Sequence, residues 1–117
     1  MRNIEILEIK KSHCKPIVIL QKKNREEIGN NLWNEKEILM SLNDKNFFGR
    51  ACLYNKKING FLLGRKIDDF FELISIFITP KLRKKGIGGQ MIENCKNFCR
   101  KMMLKEIIIE VNDKNMV

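Results

Sequence analysis

A basic, glycine-rich turn between an apolar segment and an amphipathic one constrains the fold of this chain more than any other feature. The turn runs from Arg83 to Gly89 (RKKGIGG) and directly follows the segment from Ile76 to Pro80 (IFITP). After it, apolar residues recur every three or four positions, at Ile87, Met91, Cys95, Phe98, Cys99 and Met102. That spacing is typical of a helix with one face packed on a sheet. The pattern therefore predicts a buried strand, a turn and a helix, in that order.

The turn also has the composition of an anion site. Glycines carry no Cβ, so a ligand can approach the backbone closely. The first turn of the following helix supplies unpaired amide groups and the positive end of the helix macrodipole. The cations Arg83, Lys84 and Lys85 stand just ahead of the glycines. These features together predict a pyrophosphate site; the alternative is a basic helix-capping turn that binds no ligand.

Two common phosphate-binding motifs do not fit this turn. A Walker loop ends in Gly-Lys-Ser/Thr, and Gly88 is followed by Gly89 and Gln90 instead. The dinucleotide fingerprint G-x-G-x-x-G has a different glycine spacing. Neither motif therefore accounts for the turn.

Length and composition predict one domain over residues 1–117, with 44% apolar and 32% charged residues. No apolar run approaches the roughly 20 residues that span a bilayer. Charged residues such as Glu5 and Lys10 also interrupt the N-terminus, where a signal segment would be apolar. We therefore expect a cytoplasmic protein without a membrane partner.

The cysteines lack metal-site or disulfide spacing. Cys14, Cys52, Cys95 and Cys99 form no Cys-x-x-Cys pair, and Cys95 and Cys99 share the apolar face of the predicted helix. Buried free thiols are favoured over a zinc site or a disulfide. No metal is expected.

The net charge of +9 is concentrated around the turn. Glu93 is the one acidic residue between positions 81 and 105, against these basic ones: Lys81, Arg83, Lys84, Lys85, Lys96, Arg100, Lys101 and Lys105. An anionic cofactor accounts for the charge at the turn. The remainder is either a solvated helix face or attracts an anionic surface such as ribosomal RNA. Direct nucleic-acid binding is disfavoured, because the aromatic residues are not interleaved with the basic ones.

Periodicity, capping and turn signals predict the order β-α-α-β-β-β-α-β. The predicted elements are a strand over 3–9, a helix beginning near Pro16 and capped by Ser12, a helix from the Asn34–Glu37 capping box through Leu42, hairpin strands over 48–54 and 58–65, a strand over 70–78, a helix from Ile87 to 101–104, and a strand over 106–111.

The segment from Arg83 to Gly88 fits the pattern Arg/Gln-x-x-Gly-x-Gly/Ala position by position. It thereby resembles the acetyl-CoA loop of the GNAT N-acetyltransferases. Residues 33–36, 76–80 and 109–115 are similar to those of bacterial ribosomal-protein-alanine N-acetyltransferases. The resemblance covers nearly the whole chain and implies a mixed α+β GNAT fold. It also implies that the family's C-terminal helix and last two strands are missing, as expected of a fragment, a decayed copy or a chain completed by a partner.

The resemblance implies how the cofactor is bound. Backbone groups of Ile76, Phe77 and Ile78 would pair with the pantetheine arm, and an amide near Ile78 would polarise the thioester. The pyrophosphate would lie on the turn, with these residues around it: Arg83, Lys84, Lys85, Gly86, Ile87, Gly88 and Gly89. Asn115 matches an asparagine that contacts the cofactor arm. A turn or helix-capping role for Asn115 is compatible with that.

Glu110 is the catalytic candidate. It stands alone in an apolar strand, and desolvation raises a carboxyl pKa towards the range useful to a general base. The resemblance assigns the base to this position; an outward-facing charge on the strand is the alternative. Glu72 is a candidate for a second acid or base, for substrate recognition or for a strand-end ion pair. Tyr54, the only tyrosine, does not match the family's general acid.

The sequence thus predicts an acetyl-CoA-dependent N-acetyltransferase. The acceptor implied by the resemblance is a protein N-terminal α-amino group, with a ribosomal protein as the leading partner. One alternative is a catalytically impaired remnant that binds acetyl-CoA without turnover. A basic nucleic-acid-binding module is the other.

Overall fold

The computed structural model describes residues 3–30 and 32–104, and the backbone of residues 106–109. Within these residues, the strands form one sheet in the order β1 (Ile4–Glu8), β2 (Phe47–Tyr54), β3 (Lys57–Ile67), β4 (Phe70–Ile78) and β5 (Glu106–Ile109). The helices are α1 (Lys11–Lys23), α2 (Arg25–Ile28), α3 (Glu35–Ser41) and α4 (Ile87–Lys101). Strands β1 to β4 are antiparallel to their neighbours, and β5 is parallel to β4. The predicted mixed α+β architecture is therefore observed.

Helices cover both faces of the sheet. On one face, Met91 and Cys95 of α4 pack into a buried cluster with strand residues such as Phe71. On the other face, Ile17 of α1 and a second set of strand residues, including Phe77, form a separate cluster. Strand β4 contributes to both clusters, which explains why its sequence is almost entirely apolar.

The predicted hairpin between β2 and β3 and the predicted capping box of α3 are confirmed. Asn55 and Lys56 both have positive φ, 50° and 66°, as a two-residue hairpin turn requires. The capping box of α3 is present, with Glu37 N–H donating to Asn34 Oδ1 at 2.8 Å and Asn34 N–H donating to Glu37 Oε1 at 2.9 Å. Strand β4 and helix α4 begin at the predicted residues.

The start of α1 was predicted wrongly. The helix begins at Lys11, so Ser12 lies inside it and Pro16 stands in its sixth position. The N-terminal cap is instead made by His13, whose Nδ1 accepts a hydrogen bond from the Lys10 N–H at 3.0 Å. The single-turn helix α2 was missed because four residues are too few for a periodic signal.

Alanine substitutions at a glycine of the sheet and at a glycine of α4 should have opposite effects on the free energy of unfolding. A Cβ at Gly60 would lie 2.8 Å from the Phe77 carbonyl oxygen, whereas a Cβ at Gly89 would meet nothing within 4 Å. We expect Gly89→Ala to stabilise the fold by about 0.5–1 kcal/mol through helix propensity. Gly60→Ala should destabilise it by roughly 1–3 kcal/mol through overpacking. Urea unfolding followed by Trp33 fluorescence measures both, and equal stabilities for the two variants would contradict the packing described here.

We expect the stability of the fold to depend on pH through His13. Its pKa is lowered, mainly by burial of the imidazole and also by the nearby Lys10 charge. Protonation would also remove the Nδ1 lone pair that accepts the Lys10 N–H. The pKa of His13 is lower in the folded state than in the unfolded state, so neutral His13 stabilises the fold above about pH 6.5. This contribution is lost as the pH falls through the folded-state pKa of His13. The free energy of unfolding should therefore decrease between pH 7.5 and 5.5.

The matched control is His13→Gln, since a glutamine at this helix position can accept the same hydrogen bond without titrating. Its free energy of unfolding should vary less over that pH range than that of the wild type. Parallel curves for the two proteins would remove His13 as the source of the pH dependence.

Candidate active site

The start of α4 is an open helix N-terminus. Gly86 is the N-cap residue, with φ 83° and ψ 4°, and no side chain caps the helix. The first helical hydrogen bond runs from Gln90 N–H to the Gly86 carbonyl at 3.0 Å. In the described part of the chain, no acceptor binds the amides from Lys84 to Gly89. These amides are therefore free to bind an anion, and the dipole of the 15-residue helix favours one there.

The space at this turn also suits a ligand. A Cβ at Gly86 or Gly89 would meet no atom within 4 Å, in contrast to the glycines of the sheet, which are tightly packed against other side chains or backbone. Gly86 additionally has the positive φ that disfavours other residues. The glycines of the turn therefore provide access to the backbone, and the site fits a phosphate group.

The three cations ahead of the turn divide into two roles. Lys84 and Lys85 are exposed and make no ion pair among the described residues. Arg83 is held in place: its Nε–H donates to the Ile78 carbonyl at 2.8 Å, and its Nη2–H donates to Glu27 Oε2 at 2.5 Å. Arg83 thus ties the end of β4, the turn and helix α2 together. Glu27 was not predicted, because it lies far from Arg83 in sequence.

The C-terminal half of β4 presents backbone groups away from β3. Thr79 N–H donates to the Asn59 carbonyl at 2.9 Å, so position 79 faces β3. Backbone groups alternate along an antiparallel strand, so Phe77 also faces β3, while Ile76 and Ile78 face the opposite side. Their side chains are buried against α4. Of the three backbone positions predicted for the pantetheine arm, Ile76 and Ile78 therefore have the outward orientation.

Strand β5 pairs with only the first half of β4 within the described residues. The described pairing runs from Phe70 opposite Glu106 to Leu73 opposite Ile109. Just beyond it, the β3–β4 register shifts and inserts Ile74 as the extra residue of a bulge. Such a bulge bends the strand locally, and no sequence signal predicted it. Glu110 and Asn115 lie outside the described residues.

Two polar side chains of β4 lie on the face covered by α1 to α3. Glu72 forms the predicted ion pair, with its Oε1 3.4 Å from Arg65 Nε. Ser75 is buried, and its hydroxyl has no hydrogen-bond partner in the described part of the molecule. Ser75 directly follows the bulge residue Ile74, and Glu72 lies two residues before it, opposite Ile108 of β5.

The cysteines are structural. All four are buried and free. Burial raises the pKa of the Cys52 thiol to about 11 and that of the Cys95 thiol to about 12, so neither is a nucleophile at neutral pH. Among the described residues, no cluster of three or more histidine, cysteine or acidic side chains could hold a metal ion. Nor is any helix in these residues long and apolar enough to cross a bilayer.

The family assignment follows from the sequence profile of the acetyltransferase (GNAT) family, which matches residues 11–117. The chain belongs to the GNAT family. It is therefore an acetyltransferase by family, and the predicted GNAT fold is confirmed. No curated protein matches the sequence.

Solved GNAT structures share this fold at low sequence identity. An aminoglycoside N-acetyltransferase in complex with CoA is 15% identical, with a TM-score of 0.75, and the match covers 96% of this chain and 79% of that one. The ribosomal-protein-alanine N-acetyltransferase from Brucella melitensis biovar Abortus 2308 is 10% identical, with a TM-score of 0.72 and coverages of 94% and 81%. The PaiA N-acetyltransferase from Thermoplasma acidophilum, in complex with coenzyme A, is 15% identical, with a TM-score of 0.72 and coverages of 97% and 82%.

These structures establish the fold and leave the acceptor open. The resemblance to ribosomal-protein-alanine acetyltransferases is one of several, since an aminoglycoside acetyltransferase matches the chain equally well. The shared architecture does place the open start of α4 and the C-terminal half of β4 side by side in this GNAT chain.

Proposed function

We propose that this chain transfers the acetyl group of acetyl-CoA to the α-amino group of a protein N-terminus, with a ribosomal protein as the leading candidate. The observation that carries the proposal is the open start of α4. There, backbone amides and two lysines without a partner among the described residues converge on glycines that have open space around them. Such a site suits the pyrophosphate of coenzyme A.

Donor binding would use backbone groups on two adjoining elements. The amides of Ile87, Gly88 and Gly89 would hold the pyrophosphate, with Lys84 and Lys85 adding positive charge. The outward backbone groups of Ile76 and the N–H of Ile78 would pair with the pantetheine arm as a neighbouring strand does, since the Ile78 carbonyl already accepts from Arg83. Arg83 supports this arrangement indirectly, because it fixes the Ile78 carbonyl and the entry to the turn. Asn115 is proposed to contact the same arm.

When bound, acetyl-CoA supplies an activated thioester. A strand amide that faces it, near Ile78, would polarise its carbonyl oxygen. The acceptor must be a neutral amine, and we propose that the Glu110 carboxylate takes the proton from its ammonium form. Glu72 is a carboxylate of β4, but its ion pair with Arg65 favours a structural role.

The charge of the chain favours a peptide acceptor over an aminoglycoside. A net charge of +9 repels a polycationic substrate during its approach, and the repulsion grows with the charge of the substrate. A peptide N-terminus carries one ammonium group at the reacting end. The same chain could also bind acetyl-CoA without turnover, and a catalytic assay separates that alternative.

Donor binding is tested at Gly86. Gly86→Asn places a side chain in the open space at the N-cap, and asparagine tolerates positive φ better than most residues. The variant should lose roughly 1 kcal/mol of stability without ligand, and it should bind coenzyme A at least about tenfold more weakly. Thermal unfolding with and without coenzyme A measures this, since ligand at 100 times Kd stabilises by about 2.7 kcal/mol.

A matched pair of double variants tests the lysines. Lys84→Gln/Lys85→Gln should weaken coenzyme A binding, and more so at low salt. Lys96→Gln/Arg100→Gln removes the same charge from the exposed face of α4 and should leave binding unchanged. An unchanged affinity in both Gly86→Asn and the first double variant would overturn the assignment of the turn.

The proposed general base is tested at Glu110. Glu110→Gln preserves the shape of the side chain but cannot accept the proton, so acetylation of an alanine-started peptide should slow by about 10²–10⁴-fold. Coenzyme A affinity should stay near the wild-type value. Glu72→Gln is the control and should lose far less activity. Equal rates for wild type and Glu110→Gln would remove Glu110 from the mechanism.

The same assay tests the acceptor. With an aminoglycoside in place of the peptide, the wild-type protein should turn over more slowly. Faster turnover of the aminoglycoside would overturn the proposed acceptor class. Coenzyme A binding without acetylation of any amine would identify the chain as an impaired binder.

A further inference from the structure

A groove of about 580 Å³ lies far from the start of α4. It is formed by the last residue of β1, the start of β2, the segment after α3, and the C-terminal half of α4. Its polar lining residues are Glu8, Asp44, Lys45, Arg50, Asn94, Asn97 and Lys101. At a rise of about 1.5 Å per residue, the lining residues of α4, from Asn94 to Lys101, lie roughly 12–22 Å along the helix from Gly86. The groove is therefore separate from the proposed donor site.

The central group of this groove is the Arg50 guanidinium. It stacks over the ring of Phe48, with Cζ 4.2 Å from the ring centroid, and its Nη1–H donates to the Gly49 carbonyl at 2.8 Å. These two contacts fix the plane of the guanidinium. Arg50 is partly buried, and desolvation lowers its pKa. Even so, no carboxylate lies within 4 Å of it among the described residues.

A partly desolvated cation without a contact ion pair is costly unless something compensates its charge. The nearest acidic influence on Arg50 is Glu8, its register partner on β1, which favours the charged form through space. The remaining N–H groups of the guanidinium have no protein acceptor in the described residues. They form the planar, two-pronged donor that carboxylates and phosphates bind.

Helix α4 adds further donors on the facing wall. Asn94, Asn97 and Lys101 lie three and four residues apart, so they share one face of the helix. The Oδ1 of Asn97 accepts from Arg100 Nη1–H at 2.6 Å, which leaves its amide N–H groups to donate. Lys45 lines the opposite side. Asp44 is partly engaged, because its Oδ1 accepts the Asn46 N–H at 2.9 Å.

We propose that this groove binds a small molecule bearing a carboxylate or phosphate group, with Arg50 as the primary anion ligand. Asn94 and Asn97 donate to the same group, and Lys101 adds positive charge. Phe47 and Phe98 supply apolar surface for the rest of the ligand. The volume of about 580 Å³ is in the range of small-molecule sites.

The test is a titration of the ¹⁵N-labelled full chain, followed by NMR, at constant ionic strength. Inorganic phosphate and succinate are the two probes, and sodium chloride is the reference. Saturating coenzyme A is present so that phosphate does not bind at the start of α4. At least one probe should shift the Arg50 Nε–H signal and the Asn94 and Asn97 side-chain amide signals saturably. The probe that shifts these signals shows whether the groove prefers a phosphate or a carboxylate.

Variants decide whether Arg50 is responsible. Arg50→Gln should weaken binding at least tenfold, and Arg50→Lys should give an intermediate affinity because it keeps the charge but loses the planar fork. Lys96→Gln removes one exposed charge from the same helix and should bind like the wild type. Asn94→Leu, which leaves the strand untouched, should also weaken binding if Arg50→Gln fails to fold. No saturable shift in the wild type, or wild-type affinity in both Arg50→Gln and Asn94→Leu, would overturn the proposal.

Discussion

The other features of the structure depend on strand β4. The strand is buried on both faces, and the backbone groups of Ile76 and Ile78 in its C-terminal half point away from β3. Helix α4 covers one face and helices α1 to α3 cover the other, so the strand is rigid and dry. The outward groups of Ile76 and Ile78 therefore occupy fixed positions. A rigid strand next to an open helix start can orient a long ligand without relying on side chains.

Arg83 links these two parts of the molecule. It bonds to the Ile78 carbonyl and to Glu27, so one side chain sets the end of β4, the entry to the turn and the position of α2. A residue that the motif marks as a cofactor ligand thus has a clear positioning role here. Lys84 and Lys85 remain for direct charge attraction. Two of the three basic residues at the turn are therefore available to an anion.

Positively charged groups belong to two proposed sites for different ligands. At the start of α4, the proposed donor site uses mainly backbone amides, assisted by lysines. In the groove at the other end of α4, the Arg50 guanidinium is the main donor and its stacking on Phe48 fixes its geometry. Both sites involve the same helix, and the groove residues of α4 lie about two to four turns from Gly86.

Local signals in the sequence were sufficient for much of the fold and for the turn. A nearly continuous apolar run predicted β4, apolar periodicity predicted α4, and the Asn34–Glu37 box predicted α3. The glycines predicted the open helix start. Each of these signals acts within a few residues. The cap by His13, the bulge at Ile74, the Arg83–Glu27 pair and the groove around Arg50 were decided by tertiary structure. They depend on residues that are distant in sequence, or on which of several possible partners packing brings within hydrogen-bonding distance.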